Sequence, residues 1–101
     1  MASRLDLHSK LVELFGSKNV YYQPPESIKM EYPAIKYSKN IIRNSYANDA
    51  PYMKSTSYQI IVIDSKPDNP VIEKILALPM CSYDRNYRAD NLNHDVLTLY
   101  Y

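Results

Sequence analysis

Residues 58–64, YQIIVID, decide the fold, because four consecutive β-branched residues, Ile60-Ile61-Val62-Ile63, stand at their centre. β-branched side chains favour extended backbone, and a strand that is apolar on both faces is typical of the middle of a sheet covered on both sides. The pattern extends back to about Met53. The sequence therefore predicts a central strand over 53–64.

The segment before this strand predicts its hairpin partner. A strand is predicted from Tyr32 to about Ile42, and the turn-forming residues of 44–51 connect it to the central strand. This connection is long for a plain hairpin and contains tyrosines, so we expect a docking arm, although a surface loop without a partner fits the same residues. The candidate contact residues in the arm are Tyr46, Asn48, Asp49 and Tyr52.

Two helices are predicted on either side of this hairpin. Apolar residues recur at helical spacing over 4–15, with Ser3 as a candidate N-cap and Gly16 at the left-handed position that ends a helix. The second helix follows Asn69 as N-cap and Pro70 at the first helical position, and it ends before Pro79. Its apolar residues are Val71, Ile72, Ile75, Leu76 and Leu78.

Three further strands complete the prediction. They cover residues 19–23, 81–87 and 96–101, and a turn within 90–95, DNLNHD, joins the last two. The order α-β-β-β-α-β-β predicts an α+β fold, a mostly antiparallel mixed sheet of about five strands flanked by two helices. A length of 101 residues predicts one domain. Because the chain contains a single glycine, asparagines are expected at the left-handed turn positions.

Composition and sequence pattern argue against several classes of function. A formal net charge of +1 disfavours a partner bound by charge alone, such as nucleic acid or a membrane surface, but leaves room for a local basic patch. No apolar run approaches the roughly 20 residues of a membrane-spanning helix, and the first residues lack the apolar core of a signal peptide. The 11 tyrosines favour a surface that another protein covers, because tyrosine combines a large ring with a polar tip.

The candidate catalytic and metal-binding residues, a cysteine and two histidines, do not form a pattern typical of an enzyme. The one cysteine, Cys81, cannot form an internal disulfide and is expected to be a buried, unreactive thiol, and His8 is expected at the edge of the core. His94 could share a metal with Asp90, Asp95 and Cys81, but these residues lack a recognised ligand spacing. A structural role for His94, bridging the turn or an interface, is favoured. We predict no catalytic residue, metal or cofactor.

The segment 83–88, YDRNYR, alternates aromatic and basic residues. This pattern is typical of a protein interface or of a surface that binds single-stranded nucleic acid, and the nearby aspartates favour the protein interface. Exposed strand edges also invite pairing, so the short first strand or the last strand could extend the sheet across subunits. The candidate interface residues here are Tyr83, Arg85, Tyr87, Arg88, Asn91, Asn93, His94 and Tyr101.

Three stretches resemble a known family: VYYQPPES at 20–27, M-x-Y-P-A-I-x-Y at 30–37 and ADNLNHD at 89–95. They are similar to short virion proteins of tailed bacteriophages, the tail terminators or tail completion proteins. The resemblance implies a structural protein without catalytic residues, located in the virion at the head–tail junction. It also implies a hexameric ring that caps the tail tube.

The resemblance further implies the partners of that ring. The tail-tube protein would bind one face and the head-closure or connector protein the other, with DNA passing through the lumen as cargo. Two alternatives stay open: a head-closure or neck protein of the same junction, and a small nucleic-acid-binding accessory protein that uses Tyr83, Arg85, Tyr87 and Arg88.

Overall fold

The computed structural model describes residues 4–25, 29–45 and 53–100, and within 41–45 and 53–55 it describes the backbone alone. Helices and strands follow the predicted order. They are α1 Arg4–Phe15, β1 Val20–Tyr22, β2 Ala34–Ser45, β3 Met53–Asp64, α2 Val71–Leu76, β4 Cys81–Ala89 and β5 Leu92–Tyr100. The bounds predicted for α1 and β3 are confirmed.

The strands form one sheet in the order β1-β2-β3-β5-β4. β1 pairs with β2 in parallel, and the other three pairings are antiparallel, which confirms the predicted α+β class and mixed sheet. The YQIIVID strand, β3, is central as predicted. β5 lies between β3 and β4 with both edges paired, so the prediction that the last strand could extend the sheet is wrong along its described residues. β1 and β4 are the outer strands.

Both helices pack on one face of the sheet and bury a single core there. Alternate residues of the three inner strands point into this core, among them Ile35, Ile60 and Leu97. Leu11 of α1 and Ile75 of α2 close it from above, and all five side chains are fully buried. The opposite face of the sheet has no helix over it in the described part of the chain. We call this second surface the open face.

A cluster of aromatic and basic residues fixes α1 to the sheet. The ring of Tyr37, which is fully buried, lies between the rings of Tyr22 and Tyr58, with centroid distances of 4.9 and 6.2 Å. The Tyr37 hydroxyl lies 2.7 Å from Nδ1 of His8 and 3.4 Å from Nη1 of Arg4. His8 is half-buried, which confirms its predicted position at the edge of the core.

Local capping signals are confirmed at both helices. Gly16 has a φ of 72°, and its N–H donates to the carbonyl of Val12 over 2.8 Å, which ends α1 in a left-handed residue. The Asn69 side-chain oxygen accepts the Val71 N–H over 2.9 Å, and Pro70 already has helical angles, so the two residues act as N-cap and first helical residue. Ser3 lies outside the described residues.

The prediction that asparagines would occupy the left-handed positions is mostly wrong. Five described non-glycine residues have a positive φ, and they are Gln23, Asp68, Met80, Asp90 and Asn91. Only one of them is asparagine. The Gln23 N–H donates to the carbonyl of Tyr37 over 2.9 Å, and the carbonyl of Met80 accepts the Tyr100 N–H over 3.1 Å. These backbone hydrogen bonds hold a glutamine and a methionine at angles that they seldom adopt alone.

The β2–β3 hairpin differs most from the predicted boundaries. β2 begins two residues late, because Pro33 has no N–H to donate to a sheet. It continues through Asn44 and Ser45, which were predicted as turn but pair with Lys54 and Met53. Four residue pairs, from Ile42 with Thr56 to Ser45 with Met53, have no third strand beside them among the described strands. We call this two-stranded extension, 42–45 with 53–56, the ribbon.

Candidate interaction surface

The outer strand β4 is exposed along almost its entire length. All seven residues from Ser82 to Arg88 are exposed, and only the ends, Cys81 and Ala89, are half-buried. The alternation of Cys81, Tyr83 and Tyr87 in the sequence predicts a strand that is only half-exposed, and this prediction is wrong. The reason is that the apolar core reaches only as far as Leu97 and Leu99 of β5, where Cys81 alone of β4 packs against it.

A β-bulge divides the predicted interface residues of β4 between two faces. Tyr83 lies opposite Leu97, a core residue on the helix side, whereas Arg85 lies opposite Val96 on the open face. The register shifts between them at Asp84, and the extra residue reverses the alternation of side chains. Arg85 and Tyr87 therefore share the open face, and Tyr83 does not share it.

On the helix side, two side chains of β4 bond to one carboxylate of β5. The Tyr83 hydroxyl donates to Oδ1 of Asp95 over 2.6 Å, and the Asn86 amide donates to the same oxygen over 2.8 Å. Asp95 is only 8% exposed. Its carboxylate therefore depends on the hydrogen bonds from Tyr83 and Asn86 in place of water. The hydrogen bond to Asp95, followed by burial, raises the pKa of Tyr83 to about 12.

On the open face, Tyr87 and His94 form a stacked pair across β4 and β5. Their ring centroids are 4.7 Å apart, and the two planes are inclined by 9°. The Arg85 guanidinium carbon lies 5.7 Å from the Tyr87 centroid, and Tyr87 is 38% exposed. Nearby, the Thr98 hydroxyl donates to Oδ2 of Asp84 over 2.5 Å, which ties the bulged residue to β5.

The DNLNHD segment is a much tighter turn than predicted. Asp90 and Asn91, with φ values of 52° and 62°, form a two-residue hairpin turn with both central residues left-handed, and Leu92 already begins β5. Asn93 and His94 are therefore strand residues. The Asn93 amide donates to the carbonyl of Ser65 over 3.5 Å, and His94 Nδ1 lies 3.2 Å from the carbonyl of Leu92.

The structure brings together part of the predicted interface. Arg85, Tyr87 and His94 lie on one face, Tyr83 and Arg88 occupy helix-side positions, and Asn91 lies in the turn between β4 and β5. Five predicted contact residues lie outside the described residues, and they are Tyr46, Asn48, Asp49, Tyr52 and Tyr101.

Sequence reasoning missed Asn86 and Asp95 as partners. Asp95 was predicted at a turn or strand edge, but it lies in an inner strand. Its spacing of two residues from Leu97, and of four from Leu99, was the available signal, because residues at this period share one face of a strand.

Cys81 and His94, which were considered as shared metal ligands, lie far apart along the β4–β5 hairpin. Cys81 pairs with Leu99 at one end of the β4–β5 hairpin and His94 with Tyr87 near the other. Cys81 is half-buried, less than predicted, and burial together with the charge of Asp84 raises the pKa of its thiol. Within residues 4–25, 29–45 and 53–100 there is no pocket and no group of three or more possible metal ligands. No helix in these ranges is long and apolar enough to cross a membrane.

Comparison with family models, curated proteins and solved structures found no match for this chain.

Proposed function

We propose that this chain is a structural protein of a tailed-bacteriophage virion, a tail terminator that assembles as a ring at the head–tail junction. The observation that carries the proposal is the exposure of β4 over seven consecutive residues, with Arg85, Tyr87 and His94 grouped on its open face. Arginine and tyrosine are enriched where protein interfaces bury their energetic centre. The resemblance of 20–27, 30–37 and 89–95 to the family supplies the role.

The mechanism follows from geometry. Closed rings of identical subunits use contacts between two different surfaces of each copy, repeated around an axis. The ring covers the growing end of the tail tube, which stops its polymerisation, and presents its other face to the connector. Arg85, Tyr87 and His94 act as contact residues in this scheme, and no reaction step is required of them.

The first test is the mass and shape of the purified protein. We expect light scattering to give a six-fold multiple of the 11.8 kDa chain and electron microscopy to show rings. Tyr87→Ala should shift the assembly toward monomer, because it removes an exposed ring from the proposed contact. Tyr32→Ala is the matched control, because Tyr32 is also an exposed tyrosine, 45% against 38% for Tyr87, and does not belong to β4.

Two outcomes would contradict the proposal. A protein that stays monomeric at high concentration and does not associate with tail tubes has no terminator role. Equal loss of assembly in both tyrosine variants would remove β4 as the contact. A head-closure or neck role remains the alternative, and the position of the gene separates the two: next to the tail-tube gene for a terminator, after the portal and adaptor genes for head closure.

A further inference from the structure

Basic residues without acidic neighbours are concentrated in the β2–β3 hairpin. Between Tyr32 and Ile63 the sequence contains four basic residues and a single acidic one, Asp49. The basic residues are Lys36, Lys39, Arg43 and Lys54. The paired strands of the hairpin, 34–45 with 53–63, contain all four and no acidic residue.

Elsewhere each exposed or half-buried acidic residue of the described part lies within three residues of a Lys or Arg. These neighbours are Arg4 and Asp6, Lys10 and Glu13, Lys29 and Glu31, Lys66 with Asp64 and Asp68, Lys74 and Glu73, Arg85 and Asp84, and Arg88 and Asp90. The buried Asp95 is bonded to Tyr83 and Asn86. Along the sequence, the described acidic residues outside the hairpin thus have basic neighbours or polar partners, whereas the paired strands of the hairpin contain basic residues and no acidic one.

The hairpin also has the shape of an extension. Its outer pairs, Ile42 with Thr56 to Ser45 with Met53, form the ribbon without a third strand among the described strands. The longest dimension of the molecule is 52 Å, about twice the other two at 26 and 23 Å. A two-stranded hairpin alone in water is marginally stable, so a partner along the ribbon would stabilise it.

We propose that the ribbon and its base bind the phosphate backbone of duplex DNA. The charge and the shape select this partner together, because the major groove of B-DNA, about 12 Å wide, admits a two-stranded β-ribbon. Lysine and arginine on such a ribbon replace counterions along the phosphates. Binding of this kind is independent of sequence, and it agrees with a net charge of only +1, since the charge is local. The inference goes beyond the proposed ring and does not depend on it.

The test measures binding of the full chain to a labelled duplex of about 25 base pairs by fluorescence anisotropy across a salt series. We assign the phosphate contacts to Lys39, Arg43 and Lys54, because Lys36 lies farther from the ribbon, opposite Ile61. For three phosphate contacts, the slope of log affinity against log salt should be about −2.7, which corresponds to a roughly 40-fold loss of affinity between 50 and 200 mM salt. Replacing Lys39, Arg43 and Lys54 by glutamine should bring this slope near zero. The single variant Lys39→Gln should reduce it by about 0.9.

The matched control removes three positive charges from the body of the protein. Lys10→Gln, Lys18→Gln and Lys74→Gln together change the net charge by the same amount, at positions on and after α1 and on α2. This variant should bind the duplex like the unaltered chain. Circular dichroism melting curves of all variants verify that each one is folded.

Three results would overturn the inference. They are no binding of the duplex at 50 mM salt, an equal loss of affinity in the control, or a ribbon variant that binds DNA normally but no longer self-associates. The last result would assign the ribbon to contacts between subunits. Failure of the ring test leaves this experiment unaffected, because DNA binding is measured on whichever oligomeric state the protein adopts.

Discussion

The Tyr83 hydroxyl lies 2.6 Å from Oδ1 of Asp95, and this hydrogen bond joins the exposed strand β4 to a carboxylate buried beneath it. Asn86 approaches the same oxygen on the other side of the bulge, at 2.8 Å. The helix side of β4 is thus held by polar contacts with β5, while Arg85 and Tyr87 are exposed on the open face.

The Tyr83–Asp95 bond predicts a pH-dependent contribution to stability. The pKa of Tyr83 is raised to about 12 from 10.0, so the folded state favours the protonated phenol. The stabilisation is therefore complete below pH 10 and is lost as pH rises toward 12. Tyr83→Phe should lower the free energy of unfolding by about 1 kcal/mol at pH 8, a modest value because the ring is exposed.

Denaturant titrations at pH 8, 10 and 11.5 measure this difference. It should shrink as pH rises, and a difference that stays constant would show that ionisation of Tyr83 is not coupled to folding. Absorbance at 295 nm should also lose a tyrosine titration step with a pKa of about 12 in the variant.

Asp95 should matter more than either of its partners. Asp95→Ala removes the acceptor of two hydrogen bonds within the sheet, and we expect a loss of about 2–3 kcal/mol. Asn86→Ala removes one donor and should cost about 1 kcal/mol. Arg88→Ala, at another exposed position of β4, is the control and should stay within about 0.5 kcal/mol.

A double-mutant cycle isolates the pair. Once Asp95 is alanine, Tyr83→Phe should have almost no further effect on the free energy of unfolding, because the acceptor is already absent. Additive losses in the double variant would contradict the assigned hydrogen bond.

The hydroxyl of Tyr37 should stabilise the packing of α1. Tyr37→Phe keeps the buried ring but removes the group between His8 and Arg4, and we expect a loss of about 1–2 kcal/mol. Tyr22→Phe is the control, because it keeps the ring 4.3 Å from the Arg4 guanidinium and should change stability by less than about 0.5 kcal/mol. Thermal melts of the two variants compare them directly, and equal midpoints would refute the role of the hydroxyl.

The two-residue turn before β5 should discriminate among residues at position 91. Asn91 has a φ of 62°, where β-branched side chains are strained, so Asn91→Val should lower stability by about 1–2 kcal/mol. Asn91→Gly should be neutral or slightly stabilising. The same two substitutions at Ser82, an exposed residue of β4, should rank in the opposite order because extended backbone favours valine. Melting temperatures give both rankings, and matching orders would exclude this turn geometry.

Much of the local structure could be predicted from the sequence. The helical spacing of His8, Leu11 and Phe15 predicted α1, Gly16 and Asn69 predicted helix ends, and the run at 60–63 placed β3 at the centre. Each of these signals acts within one turn of helix or along one strand, so the local sequence is sufficient to predict these features. The grouping of Arg85 with Tyr87 was also contained in their spacing of two.

The remainder depended on residues far apart in the chain. The insertion of β5 between β3 and β4, the bulge at Asp84 that separates Tyr83 from Arg85, and the burial of Asp95 all follow from hydrogen bonds between strands. Strand pairing satisfies backbone groups across the whole sheet, and a shift of one residue exchanges the two faces. The sequence by itself determined which elements form and where β3 must lie. The tertiary structure decided which side chains share a face, because sheet order and register are set by pairing between distant segments.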